Sequence, residues 1–468
     1  MKHWFLLYGM MGLLSTSIIS QNKETLYDFT ELPQSLLLNP GVQVNYKAHL
    51  GIPLLSQIHL NGGFTGASAY DLFSDDGRSI NEKLESTINS LKSNDYFTFT
   101  EQLDILNIGW RTRNHPEGYF SAGIYQELDL IVYIPKDFVV LAYRGNQEYI
   151  NVPFRFSNVA TTGELLTAYH FGYNRKVNKK LTIGGRVKLY SSMFNFRSTK
   201  NKGTFTTVET PNGNNFYQHV LSNIDLSVKT SGYASLTEIE SENDTDGTRQ
   251  VLRKFLKRSL LGGNLGLGVD VGFTYQLEDQ WTMTGSVTDL GMIFYSKDVE
   301  SYEAEGNYFY EGFNVPSDEL NSQDILDELE EAIPIDTVST GYTAMRPVKL
   351  NASLKYSFNQ YDNGRCNYCE HDQNPPYLDA LGVQLFSQFR PKRPVYAASL
   401  FYYKRLGFLR TKLTYTVDDF SWHNIGFLVS AHISKFNFYI TANNLLEYTN
   451  LAKAQAASVQ LGFNLILP

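Results

Sequence analysis

The sequence predicts an all-β fold: a transmembrane antiparallel β-barrel of about fourteen strands, with an N-terminal plug and helical extracellular loops. Three observations support this fold class. Apolar and polar residues alternate along many segments, the links between these segments are alternately short and long, and the N-terminus resembles an export signal. A soluble β-sandwich also alternates, but many segments here approach the roughly 9–11 residues that a tilted strand needs to cross a bilayer.

Alternation is clearest between Leu265 and Tyr275. The odd-numbered positions carry large apolar side chains, whereas the even-numbered positions carry glycine, Asp270 or Thr274. Because successive side chains of a strand point to opposite faces, one face is apolar and the other is small or polar. Similar segments predict strands near 56–65, 98–111, 118–130, 162–174, 180–195, 262–276, 280–294, 346–358, 378–389, 395–404, 409–417, 423–432, 436–443 and 456–467.

The links between these segments indicate the orientation of the barrel. If the last strand ends in the periplasm, the short links all become periplasmic turns, as is usual in outer-membrane barrels. The long links then become extracellular loops. They lie at 66–97, 131–161, 196–261 and 296–345.

The N-terminus predicts export. Lys2 and His3 precede an apolar run from Trp4 to Leu14, and this run is shorter than the roughly 20 residues of a spanning helix. We therefore expect residues 1–20 to be a cleaved signal peptide and the protein to lie in the bacterial outer membrane, in contact with its lipid. The formal net charge of −8 argues against nucleic acid as a partner, because phosphate binding needs a basic face.

Residues 21–50 precede the first predicted strand, and their Pro and Gly residues interrupt regular structure. We interpret them as a plug segment inside the lumen, followed by the barrel at 51–468. The alternative is a periplasmic tail with an extra strand at 42–50. The plug candidates are Gln34, Leu36, Leu38, Asn39 and Pro40.

Charged and polar residues on the non-apolar strand faces are candidates for the lumen. Opposite charges inside a narrow barrel usually pair with each other or with a plug, and a substrate path is the alternative interpretation. The lumen-facing candidates are Glu164, Arg186, Lys188, Asp270, Arg410, Lys412 and His432.

The long loops contain helical patterns. Amphipathic spacing predicts helices at 80–93 and 318–333, and a third short helix is expected at 135–143. These helices either cover the mouth of the barrel or provide a docking surface or lid. The acidic run 242–247 resembles the start of a calcium loop, but its twelfth position is Arg253, so solvated turn residues are the better interpretation.

No catalytic or cofactor motif is found, and we expect neither an enzyme nor a cofactor. His423 stands near Asp418, Asp419 and Ser421, but a polar loop is the simpler explanation. Cys366 and Cys369 are the only cysteines, and in an exported protein they could form a disulfide. A zinc site with His371 would lack a fourth ligand, so no metal site is expected.

Four motifs resemble those of an outer-membrane barrel family of unknown function from Bacteroidota. They are the Q-S-L-L-L-N-P-G segment 34–41, the alternating strand 264–272 with its G-x-G-x-D-x-G pattern, the S-V-T-D-L-G segment 286–291 and the F-N-F-Y-I-T-A-N-N strand 436–444, in which Asn443 replaces an expected Asp. This family is related to the long-chain fatty-acid transporter (FadL-like) and type IX secretion-associated barrels. The resemblance implies a fourteen-stranded barrel with an N-terminal plug.

The resemblance leaves two hypotheses about function. The first is a non-enzymatic anchoring or accessory subunit of a cell-envelope assembly or secretion machine, which binds protein partners through its extracellular loops. The second is a FadL-like transporter of hydrophobic small molecules across the outer membrane. A transporter should show an apolar pocket between the plug and the wall beside a kinked strand. A scaffold should show a filled lumen and an apolar patch on its loops.

Overall fold

The computed structural model describes residues 23–210, 216–235, 246–310, 334–360 and 377–467. The helices in this part of the chain are α1 (Ser35–Leu38), α2 (Ala69–Phe73), α3 (Ile80–Ser90), α4 (Lys136–Arg144) and α5 (Asp246–Lys257). The strands belong to one sheet and are β1 (Ala48–Gly51), β2 (Ile58–Phe64), β3 (Tyr96–Thr112), β4 (His115–Tyr133), β5 (Phe154–Arg155), β6 (Ala160–Lys176), β7 (Leu181–Glu209), β8 (Tyr217–Ser231), β9 (Asn264–Gln276), β10 (Trp281–Tyr295), β11 (Val299–Tyr310), β12 (Asp336–Val338), β13 (Tyr342–Met345), β14 (Lys349–Gln360), β15 (Tyr377–Gln388), β16 (Val395–Leu406), β17 (Leu409–Val417), β18 (Asn424–Ile433), β19 (Phe436–Asn443) and β20 (Ala456–Leu467).

The sheet closes into a barrel between its first and last strands. β1 and β2 together form one spanning strand, and both pair with β20 on one side and β3 on the other. β13 and β14 likewise form one spanning strand, because both pair with β10. Counted in this way, the described residues form a closed antiparallel barrel of fourteen strands, as the sequence predicts. Closure pairs the backbone groups that an open sheet edge would expose to lipid.

The polarity of the wall is that of a membrane barrel. In β9, Leu267 is 63% exposed on the outer face, whereas Asp270 is 1% exposed on the inner face. The outward apolar row on β9 begins at Leu265 and continues through Val269 and Val271. The alternation of the sequence therefore becomes an apolar outer surface and a polar lumen, the reverse of a water-soluble barrel. No helix in the described ranges is long and apolar enough to span a membrane.

The N-terminal segment lies inside the lumen, in the half that is nearer to the short turns between strands. Leu26, Tyr27, Phe29 and Leu32 are fully buried there, and they pack with Leu428 and Tyr439 of the wall in a cluster that also includes Leu38. The predicted plug boundary at residue 50 is wrong by a few residues, because Ala48–Gly51 already form strand β1. Pro53 and the left-handed backbone of Leu54 break this strand at 52–57 and obscure its alternation in the sequence.

Two wall glycines form the seat of the plug. Gly184 of β7 lies opposite Gly272 of β9 in the sheet. A Cβ at Gly184 would lie 2.0 Å from the Pro40 carbonyl oxygen, and one at Gly272 would lie 2.1 Å from Asn39 Oδ1. The Asn39 amide donates to the Phe273 carbonyl (3.2 Å), and the Ser286 hydroxyl donates to the Leu38 carbonyl (2.6 Å). The wall and the plug therefore meet here with no room for a side chain.

Several strands continue beyond the barrel wall. β7 is 29 residues long; its first half pairs with β6 and β9, and its second half pairs with β8. β8 then pairs with β11, and β11 with β12. β7 and β8 thus form a hairpin within the long excursion that precedes β9.

The loop helices expected at 80–93 and 135–143 are observed as α3 and α4. A capping box between Ser79 and Glu82 begins α3, and Ile88 of α3 packs with Val140 of α4. Four expectations lie outside the described residues. They concern the signal peptide 1–20, most of the acidic run 242–247, the helix at 318–333 and the pair Cys366 and Cys369.

We predict that Gly184→Val displaces the plug, since the added atoms occupy the space of the Pro40 carbonyl. Overpacking of this kind costs about 1–3 kcal/mol. Limited proteolysis of folded protein in detergent should then cleave the segment 23–47, which resists cleavage in the unmodified protein.

The matched control is Gly185→Val. This neighbour points to the outer face, and the nearest atom to its added Cβ is 3.8 Å away. Equal protection of the plug in both variants would contradict the close contact between Gly184 and the Pro40 carbonyl.

Candidate functional site

The lumen contains a connected network of buried charges. Asp270 accepts hydrogen bonds from Arg186 (3.0 Å) and lies 2.9 Å from the Lys188 ammonium. Lys188 also contacts Asp289 at 2.6 Å, and Asp289 in turn pairs with Lys349 at 2.9 Å. These pairs connect β7, β9, β10 and β14 across the interior.

The network continues toward the extracellular end through Arg346, between β13 and β14. Arg346 pairs with Glu127 at 3.1 Å and with Glu164, and the Glu164 carboxylate also accepts from the Tyr295 hydroxyl (2.5 Å). Nearby, Arg390 and Asp129 form a two-bond pair, at 2.5 and 2.8 Å. Each of these carboxylates therefore has a cation beside it, as burial requires.

Two of the predicted lumen residues hold the plug directly. Arg186 donates to the carbonyls of Leu36 and Leu37 while it pairs with Asp270. Lys412 donates to the carbonyls of Glu24 (3.1 Å) and Tyr27 (2.6 Å). These cations thus replace water as donors to plug carbonyl oxygens.

A third contact of the plug is made by Gln34. Its amide group exchanges two hydrogen bonds with that of Asn464 on β20, at 2.9 and 3.1 Å. It also donates to the Ser56 carbonyl at 2.9 Å. The plug is therefore attached to the seam where the barrel closes, as well as to β7 and β17.

The other two lumen candidates lie at the periplasmic rim. Arg410 and His432 are half-buried, and Arg410 donates to the Gly407 carbonyl in the adjacent turn. The structure therefore separates them from the network around Asp270. Sequence reasoning missed the remaining members of that network: Glu127, Asp129, Asp289, Arg346, Lys349 and Arg390. Asp289 was visible only as part of the motif 286–291.

A small polar cavity remains between the plug and the extracellular end. Its volume is about 60 Å³, enough for a few water molecules, and Lys23, His59, Glu101 and Lys349 are among its lining residues. An aromatic roof closes it above: the ring of Tyr96 lies 5.4 Å from that of Tyr133 and 5.8 Å from that of Phe420. Among the described residues, the plug, the ion pairs and this aromatic roof thus surround the cavity.

The loop 418–423 carries Phe420 into the roof. Asp418 accepts from the backbone amides of Phe420 and Ser421, both at 2.9 Å, and from the Asn424 amide at 2.6 Å. The side chain of His423 is exposed, so the residues considered as a catalytic group form a turn instead. Burial raises the pKa of Asp418 to about 6.

Asp419 holds the same loop against the roof. Its carboxyl group accepts from the Tyr96 hydroxyl at 2.6 Å and lies 3.3 Å from Arg393. Burial raises the pKa of Asp419 to about 7, although the Tyr96 hydrogen bond opposes this shift.

An apolar groove of about 790 Å³ lies outside the barrel wall, at its extracellular rim. Helices α2, α3 and α4 form one side, and the outer faces of β2, β3 and β20 form the other. The lining is almost wholly apolar. It includes Gly62, Phe64, Ala67, Leu72, Leu84, Ile88, Leu91, Phe97, Ile134, Val139, Ala142, Ala454 and Ala457.

The floor of this groove is built from small residues. Gly62 and Ala457 contribute outward positions, and Gly63 and Ala456 face inward behind them. A Cβ at Gly63 would lie 2.5 Å from Ala456 Cβ and 2.7 Å from the ring of Phe420. Only this layer separates the groove from the roof of the lumen.

We predict that Arg346→Met destabilises the barrel by about 3–5 kcal/mol, because it leaves Glu127 and Glu164 buried with one cation fewer. Urea unfolding in detergent, followed by tryptophan fluorescence, measures the change. Adding Glu164→Gln should recover part of the loss. Lys202→Gln removes an equal charge from the surface and should cost less than about 1 kcal/mol. Equal costs at both positions would contradict the buried network.

We also predict that loop 418–423 is held more firmly at low pH. Folding raises the pKa of Asp419 from 3.8 to about 7. An opened loop therefore releases this proton at lower pH than the closed loop does, and closure weakens as pH rises from about 4 to about 7. Hydrogen exchange of the loop, corrected for the intrinsic rate, should show this slope.

Asp419→Asn should remove the part of the slope above about pH 6 and leave the part that Asp418 contributes at lower pH. Asp75→Asn, in another loop, should preserve the whole slope. An unchanged slope above about pH 6 in Asp419→Asn would assign the titration to a different group.

No curated protein matches the chain. Among solved structures, the toluene transporter TbuX of Ralstonia pickettii is similar at 9% identity, with 97% of each chain covered and a TM-score of 0.42. A FadL homologue of Pseudomonas aeruginosa has 8% identity over 97% of this chain and 99% of its own, with a TM-score of 0.41.

The translocator domain of the autotransporter NalP from Neisseria meningitidis has 8% identity, covers 94% of this chain and 95% of its own, and has a TM-score of 0.31. Because the identities and TM-scores are low, these similarities support no conclusion beyond the barrel fold that the strand pairings already define. A protein-family model, in contrast, matches residues 40–443, from the plug to the end of β19. The chain belongs to the DUF5723 family, a family of unknown function.

Proposed function

We propose that this protein is a non-enzymatic barrel of the bacterial outer membrane that captures an apolar small molecule at its extracellular rim and delivers it into the membrane. The observation that carries this proposal is the apolar groove between α2, α3 and α4 and the wall. Its volume of about 790 Å³ lies within the roughly 300–1,000 Å³ that small-molecule sites occupy.

The walls of the groove favour an apolar ligand. Leu72, Leu84 and Ile88 approach from the helices, and the floor is glycine and alanine, which leave the space open. The capping boxes at Ser68 and Ser79 fix the first turns of α2 and α3. The groove is therefore preformed, which reduces the entropic cost of binding.

The route that we propose runs along the outer face of the barrel. The lumen is filled by the plug and by ion pairs, so an apolar molecule would gain no favourable burial there. The floor of the groove, in contrast, continues downward as the outward residues Leu60 and Val459, which belong to the apolar surface of the wall. A ligand can move from the groove into lipid without crossing the charged network.

The occupied lumen and the apolar groove on the loop helices are the two features expected of a scaffold, so they favour a second candidate, the anchoring or accessory subunit expected from the family resemblance. In that case the groove would bind a protein segment. Gentle detergent extraction of tagged protein, followed by native mass spectrometry, separates the two candidates. Recovery of the barrel alone with bound apolar molecules supports uptake, and recovery in a complex of fixed stoichiometry supports the anchoring role.

We predict that Gly62→Phe blocks the groove. The added Cβ would lie 3.5 Å from its nearest neighbour, an ordinary contact, so the new ring can occupy the floor without disturbing the wall. Titration of purified protein in detergent with toluene or dodecanoate, followed by calorimetry, should show affinity lowered about tenfold or more, equivalent to about 1.4 kcal/mol.

Gly185→Phe provides the control, since it adds the same ring to the outer face of β7, away from the groove. Equal affinities for both probes in the two variants, or no binding by the unmodified protein, would remove the support for uptake.

A further inference from the structure

The C-terminal part of the long excursion between β8 and β9 is an amphipathic helix that lies on the outside of the barrel. Helix α5 ends at Lys257, and the turn that follows, 258–262, leads into β9. Ser259 contacts the hydroxyl of Thr167 at 2.8 Å, and its carbonyl accepts from the Tyr169 hydroxyl at 2.8 Å. Both of these β6 residues are on the outer face, so the end of the helix covers the wall from the lipid side.

The side of α5 that faces the protein is attached by two cations one turn apart. Lys254 donates to the Ser235 carbonyl at 2.7 Å. Arg258 pairs with Asp298 at 2.5 Å and donates to the carbonyls of Met193 and Gly232. The orientation of the helix on the barrel is therefore fixed.

The opposite side presents two adjacent rows. Leu252 and Leu256 are 58% and 54% exposed and lie four residues apart on α5, and Leu260, 72% exposed, follows in the turn after the helix. Arg249, Arg253 and Lys257 are also exposed and follow the same spacing one residue away. Because residues four apart share a helix face, the exposed surface is apolar along one edge and basic along the next.

The height of the helix matches the boundary of the membrane. The Ser191 hydroxyl donates to the Arg258 carbonyl at 2.5 Å, and Ser191 lies opposite Leu265 in the sheet. Leu265 is the first residue of the outward apolar row on β9. The last turn of the helix therefore lies at the upper edge of the apolar surface, where lipid head groups begin.

We propose that α5 is an interfacial helix that binds phosphate-bearing lipid of the outer leaflet. Its leucine row is inserted among the acyl chains, and Arg249, Arg253 and Lys257 bind the phosphate groups. Exposed apolar and basic rows at this depth are what an interfacial helix requires. Charge complementarity supports the anionic head group, because this basic row stands out on a chain with a net charge of −8. Arginine binds phosphate oxygens through two hydrogen bonds at once.

The inference goes beyond the proposed uptake and depends only on the barrel lying in a membrane. Its test compares nanodiscs of phosphatidylcholine with nanodiscs in which lipid A replaces part of that lipid. Native mass spectrometry of released protein counts retained lipid A, and thermal unfolding measures its stabilising effect. We expect lipid A to raise the unfolding temperature of the unmodified protein, and Arg249→Gln/Arg253→Gln to weaken lipid A binding about tenfold.

The matched control is Lys200→Gln/Lys202→Gln, which removes two charges from the β7–β8 hairpin above the membrane. Lipid A binding that is equal in the two double variants would overturn the proposal. So would an equal loss of stability in neutral and lipid A nanodiscs on Arg249→Gln/Arg253→Gln. That result would assign the basic row to a partner within the chain.

A second measurement locates the leucine row. A nitroxide label on Leu256→Cys, in a Cys366→Ser/Cys369→Ser background, should be relaxed by oxygen, which concentrates in lipid, more than by a water-soluble nickel complex. The reverse order would place the row in water and overturn the proposal, whether or not the groove binds apolar ligands.

Discussion

A buried arginine joins the barrel wall to the plug. Arg186 pairs with Asp270 on the neighbouring strand and donates to the Leu36 and Leu37 carbonyls. A carboxylate and a guanidinium in a lumen without bulk water must be paired, and plug carbonyls without strand partners need donors. One side chain satisfies both requirements. The lumen polarity, the plug position and the closure of the pore all depend on this kind of contact, which Lys412 repeats on β17.

This constraint directs attention to the outer surface. In the part of the chain that the structure describes, ion pairs and backbone contacts of the plug occupy the lumen around the small polar cavity. Two further surface features of these residues lie outside the wall: the apolar groove beside α3 and the amphipathic helix α5. They lie at the extracellular rim, where a membrane barrel meets head groups and solvent.

The sequence predicts the strands well and the contacts poorly, for physical reasons. Alternation identifies the fourteen spanning strands because each must be apolar toward lipid and polar toward the lumen. The first strand begins at Ala48, earlier than the predicted start near residue 56, because Pro53 and Leu54 interrupt the alternation of its residues. Some lumen residues on regular strands, such as Asp270 and Lys412, are found because they alternate with apolar neighbours, whereas Glu127 and Asp129 on β4 are missed. Arg346 is missed because it lies in the break between β13 and β14, where the alternation of inward and outward residues is interrupted. The groove is formed by segments far apart in the chain, and only the helices on its rim have a local signal.

The central claim is that an apolar ligand occupies the groove outside the wall and not the lumen. Photo-crosslinking tests it most directly, with an aliphatic diazirine probe, the protein in nanodiscs and adducts mapped by mass spectrometry. The account predicts adducts on Leu72, Leu84 and Ala142, which disappear when excess unlabelled dodecanoate competes. Competed adducts on lumen residues such as Tyr125 or Thr288, with none in the groove, would contradict it.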